Sequence, residues 1–357
     1  MNERRINLVM EAMKAQNLTQ MLVTDSYAID YLTGEMIQPG ERFTALLLKT
    51  DGTVRLFLNR LFAAEKIPQE QIVFYTDEVR GAVLAAEYTD SDKMLGVDKK
   101  MAAEFLLELQ EHHAGSSYMN ASVLVDSVRA KKDEEEQKLM EIASQINDRS
   151  MLQIKQLVKE GVTEKELSDE LLKIYLKEGA EGFSFDAIVS FGEHAADPHH
   201  EPDDTVVKEG DCVLFDIGCR KDGYCSDMTR TFFFKSAGEK QREIYEIVRR
   251  ANAAGEAAIR PGARFCDIDA AARKVIEDAG YGPYFTHRLG HSIGKEVHEY
   301  GDVGMVNTNT VEEGMVFSCE PGIYLPGEFG VRIEDLCMVT KDGVKVLNSV
   351  SKELEIL

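Results

Sequence analysis

The sequence predicts a two-domain α+β chain, an α/β domain over residues 1–126 followed by an α+β domain over residues 127–357. Three observations predict it. Helical and strand-like stretches alternate through the first 126 residues, a highly charged stretch at 129–140 ("RAKKDEEEQKLM") ends the alternation, and the remainder contains an internal echo of helix, glycine turn and helix. At 357 residues the chain is long enough for both parts to bury a core.

The elements follow in order. "RRINLVMEAMKAQN" has the apolar spacing of an amphipathic helix and lacks the continuous apolar core of a signal peptide. "QMLVTDS" reads as a strand, "TALLLKTDGTVRLFLN" as two strands joined by the hairpin signal Asp51-Gly52, and "QIVFYTD" as a further strand. "KKMAAEFLLELQEHH" reads as a helix and "SVLVDSV" as a last strand-like stretch. The charged stretch then leads into a long amphipathic pattern through "IASQINDRSMLQIKQLVKE". The echo pairs "VKEGVTEKELSDELLKIYLKEGAEGFSF" with "IRPGARFCDIDAAARKVIEDAGYGPYF", each ending in an aromatic strand entry. Thr163 and Glu166 form a capping box in the first copy. Such halves would meet across a pseudo-twofold axis; chance similarity of two common helical hairpins is the alternative.

Composition removes several function classes. A formal charge of −22 (63 acidic against 41 basic residues) repels polyanions and leaves no footprint for nucleic acid. No apolar tract reaches the ~18 residues of a membrane span. Six cysteines without a Cys-x-x-Cys pair lie in or beside apolar runs, as reduced thiols do, and a cytosolic location is the default expectation.

The chemistry concentrates in the second part. In "FDIGCRKDGYCSD" (215–227) a two-residue turn at Asp222-Gly223 would set Asp216 opposite Thr229 and Gly218 opposite Asp227. Asp216 and Asp227 then project to one side, because strand side chains alternate; a three-residue loop would break that parity. Glu320 ends an apolar strand in "VFSCEPGIYLPGEFGVRIEDL" and Glu334 lies inside the next. Singly, each acid has an ordinary reading as a cap or a salt-bridge partner, and His291 as a core histidine. Together, four strand-embedded carboxylates repel one another unless cations lie among them, and two divalent ions with one neutral histidine balance the charge.

These motifs resemble the pita-bread metallopeptidases, the fold shared by methionine aminopeptidase, aminopeptidase P and prolidase. The matching residues are "FDIG" (Asp216), "SDMTRT" (Asp227), "GHSIG" (His291), "EPGIY" (Glu320) and "VRIED" (Glu334), spread over roughly 133–357. "YLTG" (31–34) and "PGERFTALLL" (39–48) are similar to the creatinase-type N-terminal domain of prolidases and aminopeptidases P. The resemblance implies a pseudo-twofold α+β catalytic domain and a two-metal centre on Asp216, Asp227, His291, Glu320 and Glu334. It implies catalytic roles for His199, His298 and Glu320, and substrate-binding roles for His287 and Arg332. It also implies Mn²⁺ as the ion, with Co²⁺ or Zn²⁺ compatible, a homodimer, and a peptide substrate with proline second.

The implied activity is hydrolysis of Xaa-Pro bonds, as an Xaa-Pro dipeptidase. The alternatives are an aminopeptidase P acting on longer peptides and, more remotely, a metal-free binding scaffold. Arg42, Arg288 and Arg332 are candidate partners for a free proline carboxylate. Two departures stand out: Ser292 replaces the usual glycine after the histidine, and "HEYGDVG" lacks the proline common in that loop.

Overall fold

The structure, a computed structural model, describes residues 1–357. The chain divides into two compact units, Met1–Arg129 and Ala130–Leu357. In the first, the chain runs α1 (Glu3–Ala15), β1 (Gln20–Val23), α2 (Ser26–Thr33), β2 (Ala45–Lys49), β3 (Val54–Asn59), β4 (Ile72–Tyr75), α3 (Gly81–Ala86), β5 (Met94–Val97), α4 (Ala103–Glu111), β6 (Ser117–Asn120) and α5 (Ser122–Ala130). One six-stranded mixed sheet forms, in the order β4-β3-β2-β1-β5-β6. The Asp51-Gly52 turn closes the antiparallel β2–β3 pair, with Gly52 at φ 98°.

"SVLVDSV" is not a strand. It forms α5, with Asn120 Oδ1 accepting from the Ser122 backbone at 3.1 Å. Ala121, Leu124, Val125 and Val128 recur at helical spacing and pack into one apolar cluster, so burial on one side selected the helix over the β-rich composition.

The second unit continues with α6 (Glu134–Ile154), α7 (Glu164–Glu178), β7 (Gly182–Phe183), β8 (Ile188–Phe191), β9 (Cys212–Ile217), β10 (Cys219–Lys221), β11 (Tyr224–Cys225) and β12 (Met228–Phe233). It then runs α8 (Glu239–Ala258), α9 (Phe265–Asp278), β13 (Gly290–Ser292), β14 (Glu299–Val303), β15 (Val316–Cys319), β16 (Gly322–Leu325), β17 (Phe329–Arg332), β18 (Asp335–Thr340) and β19 (Gly343–Val346). The Thr163–Glu166 capping box starts α7.

The echo is structural. Gly161 and Gly262 at the two turns have φ 87° and 83°, and Gly179 and Gly280 beyond the second helices have φ 90° and 86°. Strands β8, β9 and β12 pair antiparallel in the order β12-β9-β8, and β13, β15 and β18 repeat this as β18-β15-β13. In each half a short hairpin, β10–β11 or β16–β17, is inserted between the two long strands. One expectation fails: "GYGPYF" makes a 3₁₀ turn at Gly282–Tyr284 instead of a strand entry, because Pro283 offers no N–H to a ladder.

Each helical hairpin has its own apolar cluster. Leu167 and Leu171 of α7 pack with Val213 and Phe215 of β9, whereas Cys212 and Leu214 of the same strand join the cluster under α8 and α9. Strand β9 therefore divides its side chains between two cores by simple alternation. Asp216 falls on the Leu214 side, facing away from α7.

Candidate metal centre and active site

The expected turn register is observed. Asp222 and Gly223 have φ 49° and 77°, Lys221 pairs with Tyr224, and Asp216 pairs with Thr229. The ladder opens at Gly218, where a Cβ would lie 2.2 Å from the Ser226 carbonyl oxygen, so only glycine permits this approach. In the second half Ser318 pairs with Leu336 and Gly322 with Arg332, a register that places Glu320 opposite Glu334. Each half thus contributes two carboxylates flanking its inserted hairpin. His291 comes from β13, whose neighbour Gly290 would put a Cβ 2.0 Å from the Ser318 carbonyl.

The two pairs converge. Ligand atoms of Asp227, His291 and Glu334 all lie within 4.8 Å of one another. His291 Nε2 is 3.6 Å from Asp227 Oδ2 and 3.5 Å from Glu320 Oε1. Around them runs a polar frame: Arg332 donates from Nη2 to Asp216 Oδ2 (2.6 Å), from Nε to Thr229 Oγ1 (3.1 Å) and from Nη1 to the Tyr324 hydroxyl (2.8 Å). Thr229 Oγ1 in turn donates to Glu334 Oε2 (2.6 Å), and Ser318 Oγ donates to Glu320 Oε1 (3.0 Å).

Burial, then the Glu334, Asp216 and Glu320 carboxylates, push Asp227 well above the usual carboxylate range. Glu334 is raised in the same way by burial, Glu320 and Asp216. Glu320 is pushed up to about 7 by burial and Asp216, against the opposing pull of Arg332. His291 is pushed down to about 3, by burial first and His298 second, and is neutral. Like charges held this close favour protons or cations. The buried Asp216 Oδ1 and Asp227 Oδ1 have no hydrogen-bond partner, leaving lone pairs aimed at nothing within the protein. An oxygen-rich set with one neutral imidazole and orphaned carboxylate oxygens fits divalent metal ions.

The five expected metal ligands, Asp216, Asp227, His291, Glu320 and Glu334, line one cavity of about 630 Å³ with His199, His287, His298 and Arg332. His298 stacks edge-on against His291 with ring centroids 4.3 Å apart. Burial, then Arg332, push His287 down to about 4. Its Nδ1 bonds the Arg288 carbonyl (2.7 Å) and its Nε2 the Tyr324 hydroxyl (2.8 Å), so the proton sits on Nδ1 and Nε2 accepts. Arg288 lines the cavity and pairs with Asp302, whereas Arg42 in the first unit is held by Asp77 and Glu41.

Sequence reasoning missed Thr229, Ser318 and Tyr324. Thr229 was legible in principle, since it lies two positions from Asp227 on one strand face. Tyr324 was not, because it reaches Arg332 only through the β16–β17 pairing. The apolar wall of the cavity, with Phe185, Ile188, Pro198, Pro202 and Val297, was also missed.

A duplicated helix-hairpin and sheet unit that closes over a carboxylate and histidine centre defines a pita-bread metallopeptidase. The metallopeptidase family M24 model matches residues 138–341, and the creatinase/prolidase N-terminal domain model matches residues 5–131. The chain belongs to metallopeptidase family M24 and is a peptidase, a hydrolase of peptide bonds. It is 36% identical over 356 residues to an uncharacterised peptidase of Staphylococcus saprophyticus, covering 98% of this chain and 100% of that one. Among solved structures it resembles a prolidase from Thermococcus sibiricus, with TM-score 0.94, 31% identity and coverage of 100% and 99% of the two chains. It also resembles an Xaa-Pro dipeptidase from Bacillus anthracis, with TM-score 0.91, 30% identity and 99% coverage of both. No helix is long and apolar enough to cross a membrane.

Proposed function

We propose that this peptidase is an Xaa-Pro dipeptidase using two divalent ions held by Asp216, Asp227, His291, Glu320 and Glu334. The observation that carries this reading is four carboxylates lining one cavity with a neutral imidazole, Asp227 and Glu334 grouped with His291 and Glu320 3.5 Å from it, two of the four carboxylates having a buried unpartnered oxygen. Two dications would neutralise that set. Bound there, such ions supply Lewis acidity and lower the pKa of a coordinated water from about 15.7 towards about 7–9.

The chain's own groups do the rest. Glu320 takes the proton of the attacking water and returns it to the prolyl nitrogen, which leaves as a secondary amine only once protonated. His298 is kept neutral by burial and the nearby Arg288, and one imidazole N–H serves the scissile carbonyl oxygen. His199 stabilises the tetrahedral oxygen or holds the substrate terminus. His287 and Arg332, joined through Tyr324, shape the substrate wall, and the apolar wall suits a proline ring. Arg288 is the partner for the free proline carboxylate, because three donors of Arg332 already serve protein acceptors. Mn²⁺ and a homodimer are assigned on resemblance.

The deciding experiment uses metal-stripped protein reloaded with Mn²⁺, Co²⁺ or Zn²⁺ singly and assayed on Xaa-Pro and Xaa-Pro-Xaa peptides. Metal-dependent cleavage of the dipeptide is expected. Preference for the tripeptide would make the enzyme an Xaa-Pro aminopeptidase, and cleavage without metal would overturn the centre.

A further inference from the structure

Outside the centre, a second group of metal-ligating side chains forms on α7: Glu164, His194, His200 and Asp203, with ligand atoms within 4.8 Å of one another. Glu164 is the first residue of α7 and fully buried. Its Oε1 accepts from the Phe191 backbone (2.7 Å) and lies 3.0 Å from His194 Nδ1. Its Oε2 lies 2.7 Å from His200 Nε2 and accepts from the Asp203 backbone (3.2 Å). A carboxylate only accepts, so the protons sit on His194 Nδ1 and His200 Nε2. Both oxygens are saturated with N–H donors, and no lone pair remains for a cation. That separates this cluster from the metal centre, where two carboxylate oxygens are orphaned.

What the four bonds share is one loop. They grip residues 191, 194, 200 and 203, and the helix N-terminus adds Glu164 N to Thr205 O (3.2 Å) and Lys165 N to Asp203 O (3.0 Å). The segment between the grips has no regular structure after the 3₁₀ turn at Gly192–Ala196, and it presents Pro198, His199, Glu201 and Pro202, together with the gripped His200, to the cavity. His199 is bracketed by the two anchored histidines, whose rings stack with centroids 4.2 Å apart.

We propose that Glu164 is a positioning residue: its buried carboxylate clamps the 191–203 loop onto the start of α7 and so fixes His199 and the adjoining prolines in the cavity. The kinetic part of this role rests on the function proposed above; the structural part does not. A misplacement of His199 by about 1 Å is enough to cost about 100-fold in rate.

The test compares the metal-loaded wild type with Glu164→Gln, His199→Ala and the double variant. Glu164→Gln keeps the shape but turns one acceptor into a donor facing donors. Expected are faster amide exchange confined to residues 192–204, a kcat/KM about 100-fold lower, and a double variant no slower than His199→Ala alone. Unchanged loop exchange, or effects that multiply in the double variant, would overturn the role. So would an additional zinc ion in the wild type that Glu164→Gln loses, which would make the cluster a cation site. If Glu164→Gln does not fold, His194→Ala, at a residue outside the cavity lining, removes one of the four grips and is read in the same way. A wild type that cleaves no Xaa-Pro peptide would sink the proposed function alone, and loop exchange would still decide Glu164.

Discussion

Arg332 Nη2 donates a 2.6 Å hydrogen bond to Asp216 Oδ2, leaving the other oxygen of that carboxylate buried and unpartnered. The same guanidinium reaches Glu334 through Thr229, so one side chain orients a carboxylate from each half of the domain. Replacement by lysine keeps the charge but loses the fork that serves three acceptors. Arg332→Lys is expected to weaken metal binding about 10–100-fold, as loss of a group orienting metal ligands does. Calorimetric metal titration checks this, and an unchanged affinity would refute it.

Asp227 is a carboxylate raised by burial and then by its acidic neighbours, so near neutral pH the metal-free fold must force a proton onto it, and that uptake opposes folding. Asp227→Asn should abolish metal binding and activity together. The chelator-treated variant should nevertheless be more stable than chelator-treated wild type, by about 0.5–2 kcal/mol, the range for relieving strain held at a functional site. Thermal denaturation with and without chelator measures both; a variant with full metal content and turnover contradicts the assignment.

The raised acids also predict protons. Glu320 stands at about 7, and burial with neighbouring carboxylates holds Asp227 and Glu334 well above the ordinary carboxylate range, so near neutral pH the metal-free native state holds protons that unfolded carboxyls, with pKa about 4, have lost. Their contribution to metal-free stability therefore declines as pH rises from about 4 through the folded values. Metal binding expels these protons, whereas His291, at about 3, is already neutral and expels none. The stability gap between metal-loaded and metal-free protein should widen from pH 5.5 to 7.5, with proton release visible in calorimetry across buffers of different ionisation enthalpy. A gap independent of pH would argue against these acids as ligands.

Arg288 carries the test of substrate length. It lines the cavity and is paired with the exposed Asp302. Arg288→Ala should lower kcat/KM for an Xaa-Pro dipeptide about 10–100-fold, the range for a lost hydrogen bond to a charged group, mainly through KM. The Xaa-Pro amide, which lacks the carboxylate, should change little. Equal losses on both substrates would move the carboxylate site elsewhere.

Much of this was legible in the sequence, because strand and turn rules are local. Two-residue turn chemistry at Asp222-Gly223 fixed the register that puts Asp216 opposite Thr229, and acids inside apolar runs announced a compensated cluster. The repeated helix–glycine–helix pattern marked two halves, and its glycines do adopt matching left-handed turns. "SVLVDSV" departs from the expected strand because its β-branched residues favour strand while its apolar spacing favours helix, and only packing against the first unit's core decides.

The local sequence determined which residues carry ionisable and metal-ligating groups, and on which face of each strand they stand. Tertiary structure alone decided that the faces of two separate sheets oppose each other, so that Glu334 meets Thr229 and Arg332 meets Asp216 across more than a hundred residues of chain. It also decided that Glu164 is saturated with donors while Asp216 and Asp227 are not. Chain topology sets which donors reach a buried oxygen, and that local environment, rather than residue type, distinguishes a structural clamp from a candidate metal ligand.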